Sequence, residues 1–186
     1  MREPAIAAER PNSAVNRVLI TGTSGAGKSS VIQELAARGY RAIDLDTPEW
    51  SGWVDADPAD RFTPAEGKDW IWREDRVRAL LLETSEGILF VSGCSENMGR
   101  LLPLVDLVIL LSAPTEAVMA RLKARSSGCY GHTDQERAKV AHLISAVEPV
   151  LRRMADHEIK TTRPVRETAE EVLKLTARRA QRDHDR

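Results

Sequence analysis

Cysteine is scarce in this sequence. The 186 residues include only two, Cys94 and Cys129, which are far apart and lack the close spacing of metal ligands. A disulfide framework or a zinc site is therefore disfavoured as the basis of the fold. A reducing, cytoplasmic environment is expected.

Long apolar runs and an excess of charge of one sign are also missing. No stretch has the length and hydrophobicity of a membrane span, and the first residues lack the apolar centre of a signal peptide. Lys and Arg number 27 against 28 Asp and Glu, which gives a net charge of −1. We therefore expect neither a membrane nor a nucleic acid as a partner.

Apolar, β-rich runs alternate with segments of helical period along the chain. Strands are predicted at 17–21, 41–45, 88–92, 107–111 and 157–160. A long helix is predicted from Asp134 to His157 with a kink at Pro149, and a last helix begins near Pro164. This alternation predicts an α/β fold with a five-stranded parallel sheet. One domain is expected over 17–176, flanked by a flexible segment at 1–16 and a charged, fraying tail at 177–186.

Residues 22–29 have the sequence Gly-Thr-Ser-Gly-Ala-Gly-Lys-Ser, which matches the Walker A pattern in full. Its glycines let backbone N–H groups turn inward around phosphate oxygens, and the next helix adds its positive end. Lys28 is predicted to reach the β- and γ-phosphates, and Ser29 to bind Mg²⁺. The predicted nucleotide-binding residues are Gly22, Thr23, Ser24, Gly25, Ala26, Gly27, Lys28, Ser29 and Ser30. The alternative, a glycine-rich turn that only links strand to helix, explains neither Lys28 nor Ser29.

This motif makes the fold a three-layer P-loop NTPase fold with ATP and Mg²⁺ as expected ligands. The Asn-Lys-x-Asp signature of guanine recognition is missing, because no asparagine is followed by lysine. A GTPase is therefore disfavoured.

The predicted second strand ends in Asp44-Leu45-Asp46, which is similar to the Asp-x-Asp of shikimate kinases. Over residues 17–175 the chain resembles the shikimate kinase and nucleoside monophosphate kinase group. The resemblance implies that Asp44 holds metal-bound water and that Asp46 orients or deprotonates the acceptor hydroxyl. Alternatively, both are solvated carboxylates at a strand end.

The same resemblance assigns roles to several arginines and implies a lid. Arg73 would clamp an anionic group of the acceptor, although the acidic residue that the family has three positions later is Arg76 here. Arg121 would lie against adenine, and Arg125 would move towards the transferred phosphoryl group, with a short lid at about 126–134. Arg152, or alternatively Arg153, would reach the acceptor, and Arg163 lies in a stretch that resembles the loop beside the adenine. The alternatives are exposed helix arginines in local ion pairs or a solvated basic helix end.

Two features depart from the family. Ser92 occupies the place of the aspartate that ends this strand in nucleoside monophosphate kinases, so metal support would depend on Asp44, Asp46 and water. All four tryptophans also fall within 50–72, in an insert at about 47–72. Trp50 and Trp53 are predicted to wall an acceptor pocket, with an acidic surround that disfavours highly anionic acceptors. A small satellite core is the alternative.

These features predict a kinase, active as monomer or homodimer, that transfers the γ-phosphoryl group of ATP-Mg²⁺ to a hydroxyl of a small molecule. A nucleoside or nucleotide kinase is one alternative. A nucleotide-binding regulator without kinase activity is another.

Overall fold

The computed structural model describes residues 16–57, 63–65, 67–84, 86–124 and 133–184. The predicted N-terminal segment, Arg125 and most of the predicted lid fall outside these ranges, so those predictions stay untested. Within them the elements are, in chain order, β1 (Arg17–Thr21), α1 (Lys28–Ala37), β2 (Arg41–Asp44), β3 (Ser51–Asp55), β4 (Lys68–Trp72), α2 (Glu74–Leu82), β5 (Leu89–Ser92), β6 (Leu107–Ser112), α3 (Thr115–Lys123), α4 (Asp134–Met154), β7 (His157–Lys160) and α5 (Val165–His184). Two short 3₁₀ turns, Glu96–Arg100 and Leu102–Leu104, lie between β5 and β6.

The predicted five-stranded parallel sheet is confirmed, in the order β2-β5-β1-β6-β7. The central strands are almost entirely buried because both faces are covered. One face packs against α1 and α5, and the other packs against α2, α4 and the 3₁₀ turns. The three layers bring the carboxyl ends of all five strands to one edge, which is where α/β sheets bind ligands. None of the described helices is long and apolar enough to span a membrane.

The insert forms a β-hairpin that the sequence analysis did not predict. Strands β3 and β4 pair antiparallel in a sheet of their own, with Ser51 opposite Trp72 and Trp53 opposite Trp70. Successive residues of a strand point to opposite faces and paired residues share one face, so Trp70 and Trp72 point to the same side. The hairpin is therefore a separate ribbon attached to the main domain through side chains.

Two helix ends differ from the prediction. Helix α4 runs through Pro149 and ends at Met154, because Asp156 pairs with β6: its backbone N–H donates to the Val108 carbonyl and its side chain accepts from the Val108 N–H at 2.8 Å. Helix α5 continues to His184, through most of the segment expected to fray. Leu175 and Ala180 extend its packing onto the core, which stabilises these turns.

Arg152 lies at the end of α4 in a network of ion pairs. Its Nη2 donates to Glu148 at 2.7 Å, and its Nε donates to Glu158 at 2.8 Å. Glu158 also accepts from the Ser112 hydroxyl at 2.6 Å. The Arg152 guanidinium lowers the pKa of Glu158 to about 2, and the two carboxylates raise the pKa of Arg152. In the described part of the chain, no contact joins Arg152 to the phosphate loop or to Asp46, so its role at the acceptor stays a prediction.

Phe90, which is fully buried in β5, tests the central packing. Its ring meets Tyr40 edge to face at a centroid distance of 5.5 Å. We expect Phe90→Ala to lower the free energy of unfolding by about 3–5 kcal/mol, because a large cavity replaces the ring. Urea unfolding measures the loss. Leu82→Ala is the control: Leu82 is 55% exposed, and its loss should stay under about 0.5 kcal/mol. Equal losses in the two variants would contradict this packing.

The Glu158 network predicts a dependence of stability on pH. Because the folded pKa of Glu158 is lowered from 4.5 to about 2, its stabilisation is present above pH 4.5 and disappears as the pH falls towards 2. At pH 7 we expect Glu158→Gln to reduce the free energy of unfolding by about 1–2 kcal/mol. The difference from the unsubstituted protein should shrink below pH 4.5. Glu86→Gln, at an exposed position without an ion pair in the described residues, should change little at either pH. A loss at Glu158 that does not depend on pH would argue against the network.

Candidate functional site

The loop between β1 and α1 is bent into a concave turn. Gly25 has φ +84° and Gly27 φ +103°, in the left-handed region that favours glycine. A Cβ on Gly22 would lie 2.4 Å from the Leu111 carbonyl oxygen, so only glycine fits where this loop passes the end of β6. The sequence therefore specifies the loop through three glycines.

Backbone N–H donors converge on this loop. Among the described residues, the N–H groups of Gly25 and Gly27 have no hydrogen-bond acceptor. The first turn of α1 adds the unpaired N–H groups of a helix start, and Ser29 and Ser30 are exposed there. Donors and helix dipole together suit an anion of phosphate size.

Lys28 lies at the base of the loop, with its side chain buried. Its Nζ donates to the Gly22 carbonyl at 2.8 Å and lies 3.5 Å from Oδ2 of Asp46. The structure thus brings together the two residues predicted to bind phosphate and to orient the acceptor.

Asp46 is held by residues on two other elements. Its Oδ1 accepts from the backbone N–H of Cys94 at 3.2 Å and from the indole of Trp72 at 3.5 Å. Its backbone carbonyl accepts from the indole of Trp70 at 3.2 Å. Sequence reasoning assigned no role here to Trp70 and Trp72. Their spacing of two residues, which places both on one strand face, was the available signal.

Asp44 and Ser92 lie side by side at the carboxyl edge of the sheet. They are register partners on β2 and β5, and Ser92 is also paired with Ile20 on β1. Ile20 packs in the cluster under α1, so these side chains share the face that α1 covers. Asp44 accepts from the Asp46 N–H at 3.1 Å. The Ser92 hydroxyl is fully buried and has no hydrogen-bond partner in the described structure, which is unusual for a buried polar atom.

Cys94 borders the same site. Burial raises the pKa of its thiol, and the neighbouring Asp46 and Asp69 carboxylates add to the rise against the opposing effect of Lys28. The thiol is therefore neutral at physiological pH and is unsuited to act as a nucleophile.

On the far side of the loop, Arg121 joins three segments. Its Nη1 donates to the Gly25 carbonyl at 3.2 Å and to the Thr161 hydroxyl at 3.0 Å, and its Nη2 donates to the Thr161 carbonyl. The Thr161 hydroxyl donates to the Ala26 carbonyl at 2.9 Å. Arg163 is exposed two residues further on. Arg121 and the 161–164 loop, both predicted to lie near adenine, are thus brought together against the phosphate loop.

The predicted acceptor residues lie on or beside the hairpin. Trp53 is 56% exposed and stands edge-on to Trp70 at a centroid distance of 5.0 Å. Trp50 is half-buried beneath the Arg76 guanidinium, which is 4.9 Å from its ring centroid. Arg73 is exposed beside Gly52 and has no ion pair among the described residues. Trp50 and Trp72 pack in the same core cluster, whereas Trp53 is open to solvent, and the contact of Trp50 and Trp53 with an acceptor stays a prediction.

A cleft of about 390 Å³ separates the hairpin from the first 3₁₀ turn. Five carboxylate residues and one arginine are among its lining, namely Asp55, Asp57, Asp69, Glu74, Glu96 and Arg100. The surround of the hairpin is thus acidic in three dimensions as well as in sequence.

Several solved structures share this architecture. No curated protein matches the chain significantly in sequence. Among solved structures, shikimate kinase from Acinetobacter baumannii in complex with shikimate is similar with a TM-score of 0.56 and 21% identity, over 87% of this chain and 92% of that one. Shikimate kinase from Bacteroides thetaiotaomicron has a TM-score of 0.54 and 18% identity, over 89% and 99%. A gluconokinase from Sinorhizobium meliloti has a TM-score of 0.52 and 19% identity, over 91% and 96%. At these identities the likeness establishes the fold.

A family model described as AAA domain matches residues 18–142, from β1 into α4. The matched segment contains the phosphate loop, Asp44, Asp46 and the hairpin, and it spans more than half of the 186 residues. By this match the chain belongs to the AAA-domain family, and it has the fold of the P-loop small-molecule kinases.

Proposed function

We propose that this protein transfers the γ-phosphoryl group of ATP to a hydroxyl of a small molecule. One observation carries the proposal: the Lys28 ammonium of the phosphate loop lies 3.5 Å from the Asp46 carboxylate. A phosphate-binding cation and a carboxylate able to receive a hydroxyl proton therefore meet at one point. A site that only binds nucleotide would use that carboxylate solely as the partner of the buried Lys28.

Each group has a definite part in this proposal. The amides of the loop and Lys28 bind the polyphosphate and neutralise charge that builds up on the transferred group. Oδ2 of Asp46 accepts a hydrogen bond from the acceptor hydroxyl and takes its proton as the hydroxyl oxygen bonds to the γ-phosphorus. The bond from the γ-phosphorus to the β–γ bridging oxygen breaks in the same transfer, and ADP leaves. Arg125, outside the described residues, keeps its proposed role near the phosphoryl group.

The residues present fit Mg²⁺. Within the described ranges, no group of three His, Cys, Asp or Glu side chains could hold a metal by itself. Mg²⁺ beside ATP needs few protein ligands, because phosphate oxygens and waters complete its octahedron. Ser29 would supply a direct oxygen, while Asp44 and the unpartnered Ser92 hydroxyl would hold metal-bound waters. When bound, the ion would neutralise phosphate charge.

The acidic cleft supports an acceptor that is neutral or carries a cationic group. Five carboxylate residues against one arginine would repel a polyanion. The exposed Arg73 supports the opposite choice, a single carboxylate or phosphate on the acceptor. A nucleoside acceptor is the second candidate, since the exposed Trp53–Trp70 pair offers a face on which a flat base could stack.

A panel of acceptors tests the proposal, with release of ADP from ATP-Mg²⁺ as the measurement. The panel contains polyols, hydroxy acids, amino alcohols, nucleosides and nucleoside monophosphates. We expect at least one to raise turnover well above basal hydrolysis, and Lys28→Ala to remove both turnover and ATP binding measured by calorimetry. Lys174→Ala, an exposed lysine on α5, is the control and should retain both. Tight ATP binding without stimulation by any acceptor would favour the nucleotide-binding regulator.

The Ser92 hydroxyl gives a separate prediction about the metal. With a non-hydrolysable ATP analogue bound, we expect Ser92→Ala to weaken Mn²⁺ binding about fivefold, the equivalent of ~1 kcal/mol for one hydrogen bond. Electron paramagnetic resonance of free Mn²⁺ measures the affinity without turnover. Ser145→Ala, on the exposed side of α4, is the control. Unchanged Mn²⁺ affinity in Ser92→Ala would remove Ser92 from the metal environment.

A further inference from the structure

The backbone carbonyl and the side-chain carboxylate of Asp46 both accept hydrogen bonds from one strand of the hairpin. The Trp70 indole donates to its backbone carbonyl at 3.2 Å, and the Trp72 indole donates to Oδ1 at 3.5 Å. Trp70 and Trp72 occupy the same face of β4, so a single strand supplies both donors. This link accounts for two of the four tryptophans and is not needed to bind ATP.

Close packing leaves the carboxylate little freedom. A Cβ on Gly93 would lie 2.7 Å from Oδ1 of Asp46 and 2.9 Å from the Trp72 ring, so the three residues meet where no side chain fits. Trp72 is only 2% exposed and packs in the core cluster with Leu45. The indole therefore cannot turn to water, and its N–H stays aimed at Oδ1.

The donors that hold Oδ1 also determine that Oδ2 is the Asp46 oxygen that faces the phosphate loop. The Cys94 N–H adds a second donor to Oδ1 at 3.2 Å, whereas Oδ2 lies towards Lys28 at 3.5 Å. Oδ1 is thus occupied by protein donors, and Oδ2 remains for the phosphate side of the site. Without the indole, the Cys94 N–H alone would hold Oδ1, and the carboxylate would have more freedom to rotate towards Lys28 and compete with an acceptor hydroxyl.

The strand is itself fixed to the 3₁₀ turn next to β5. Asn97 accepts from the Trp72 backbone N–H at 3.2 Å and donates to the Trp72 carbonyl at 2.8 Å. The opposite strand, β3, carries Trp53, a candidate acceptor contact, directly across from Trp70. A ligand that displaced the hairpin would therefore also move Asp46, because both indoles donate hydrogen bonds to it.

We propose that Trp72, supported by Trp70, is a positioning residue that sets the orientation of the Asp46 carboxylate, so that the acceptor-binding hairpin and the carboxylate act as one unit. The proposal rests on the proposed function, because it assigns a use to Oδ2 of Asp46. It implies that loss of the Trp72 donor affects turnover with acceptor far more than the binding of ATP.

The contact itself is tested without activity, by the indole N–H resonances of the ¹⁵N-labelled protein. Single Trp50→Phe, Trp53→Phe and Trp70→Phe variants assign the Trp72 resonance by elimination, so no substitution of Trp72 is needed. We expect Asp46→Asn to shift the Trp72 indole proton upfield, because its acceptor loses charge, and to leave the Trp50 resonance in place. A Trp72 resonance unmoved by Asp46→Asn overturns the proposal, whether or not the protein proves to be a kinase.

The consequence is tested by kinetics with an acceptor identified from the panel. Trp72→Phe keeps an aromatic ring without the donor, and we expect kcat to fall about 10- to 100-fold while KM for ATP stays within about twofold. Val77→Ala, which opens a cavity in the same buried cluster, is the matched control and should leave kcat unchanged at a temperature where both variants are folded. Equal effects on kcat in Trp72→Phe and Val77→Ala would mean that Trp72 contributes only through packing, and this result would overturn the proposal. If Asp46→Asn instead retained full kcat, the carboxylate step of the proposed function would fail, even with the indole contact intact.

Discussion

The contact of the Lys28 ammonium with the Gly22 carbonyl and the Asp46 carboxylate is the interaction on which the site depends. A buried cation is costly unless it is paired and hydrogen-bonded, and Lys28 meets both conditions with one carbonyl and one carboxylate. That pairing holds the end of β2 beside the phosphate loop. Asp46 in turn holds the hairpin through hydrogen bonds from Trp70 and Trp72. The phosphate loop and the hairpin are therefore both held to the same Lys28–Asp46 pair.

Two glycines make this assembly sterically possible. Gly22 lets the loop pass against the Leu111 carbonyl, and Gly93 lets Asp46 and Trp72 meet without an intervening side chain. Both lie at the carboxyl edge of the sheet, directly after the strands β1 and β5. The geometry of the site thus depends on these two glycines, which have no side chain, as much as on the charged groups that converge there.

The fold and the phosphate loop could be predicted from the sequence, because local sequence patterns specify both of them. Apolar runs identified the five strands, and the spacing of glycine, lysine and serine identified the loop between β1 and α1. The hairpin escaped prediction because its two strands are short and lie in a segment rich in proline and acidic residues. The partners of Asp46 could not be found because the residues involved, Trp72 and Cys94, are 26 and 48 positions away in sequence. For Arg152, the pairing with Glu158 depends on how α4 packs beside β7, which no local pattern specifies.

Among the residues that the structure describes, the hairpin forms its own two-stranded sheet and shares no strand pairing with the main sheet. Its residues can therefore be exchanged without breaking the hydrogen-bond ladder that holds the nucleotide end of the domain. The parts that must survive such an exchange are few: the two indole donors and the attachment at Asn97. Under the proposed function, the hairpin could therefore be replaced to change acceptor preference while the phosphate loop stays intact.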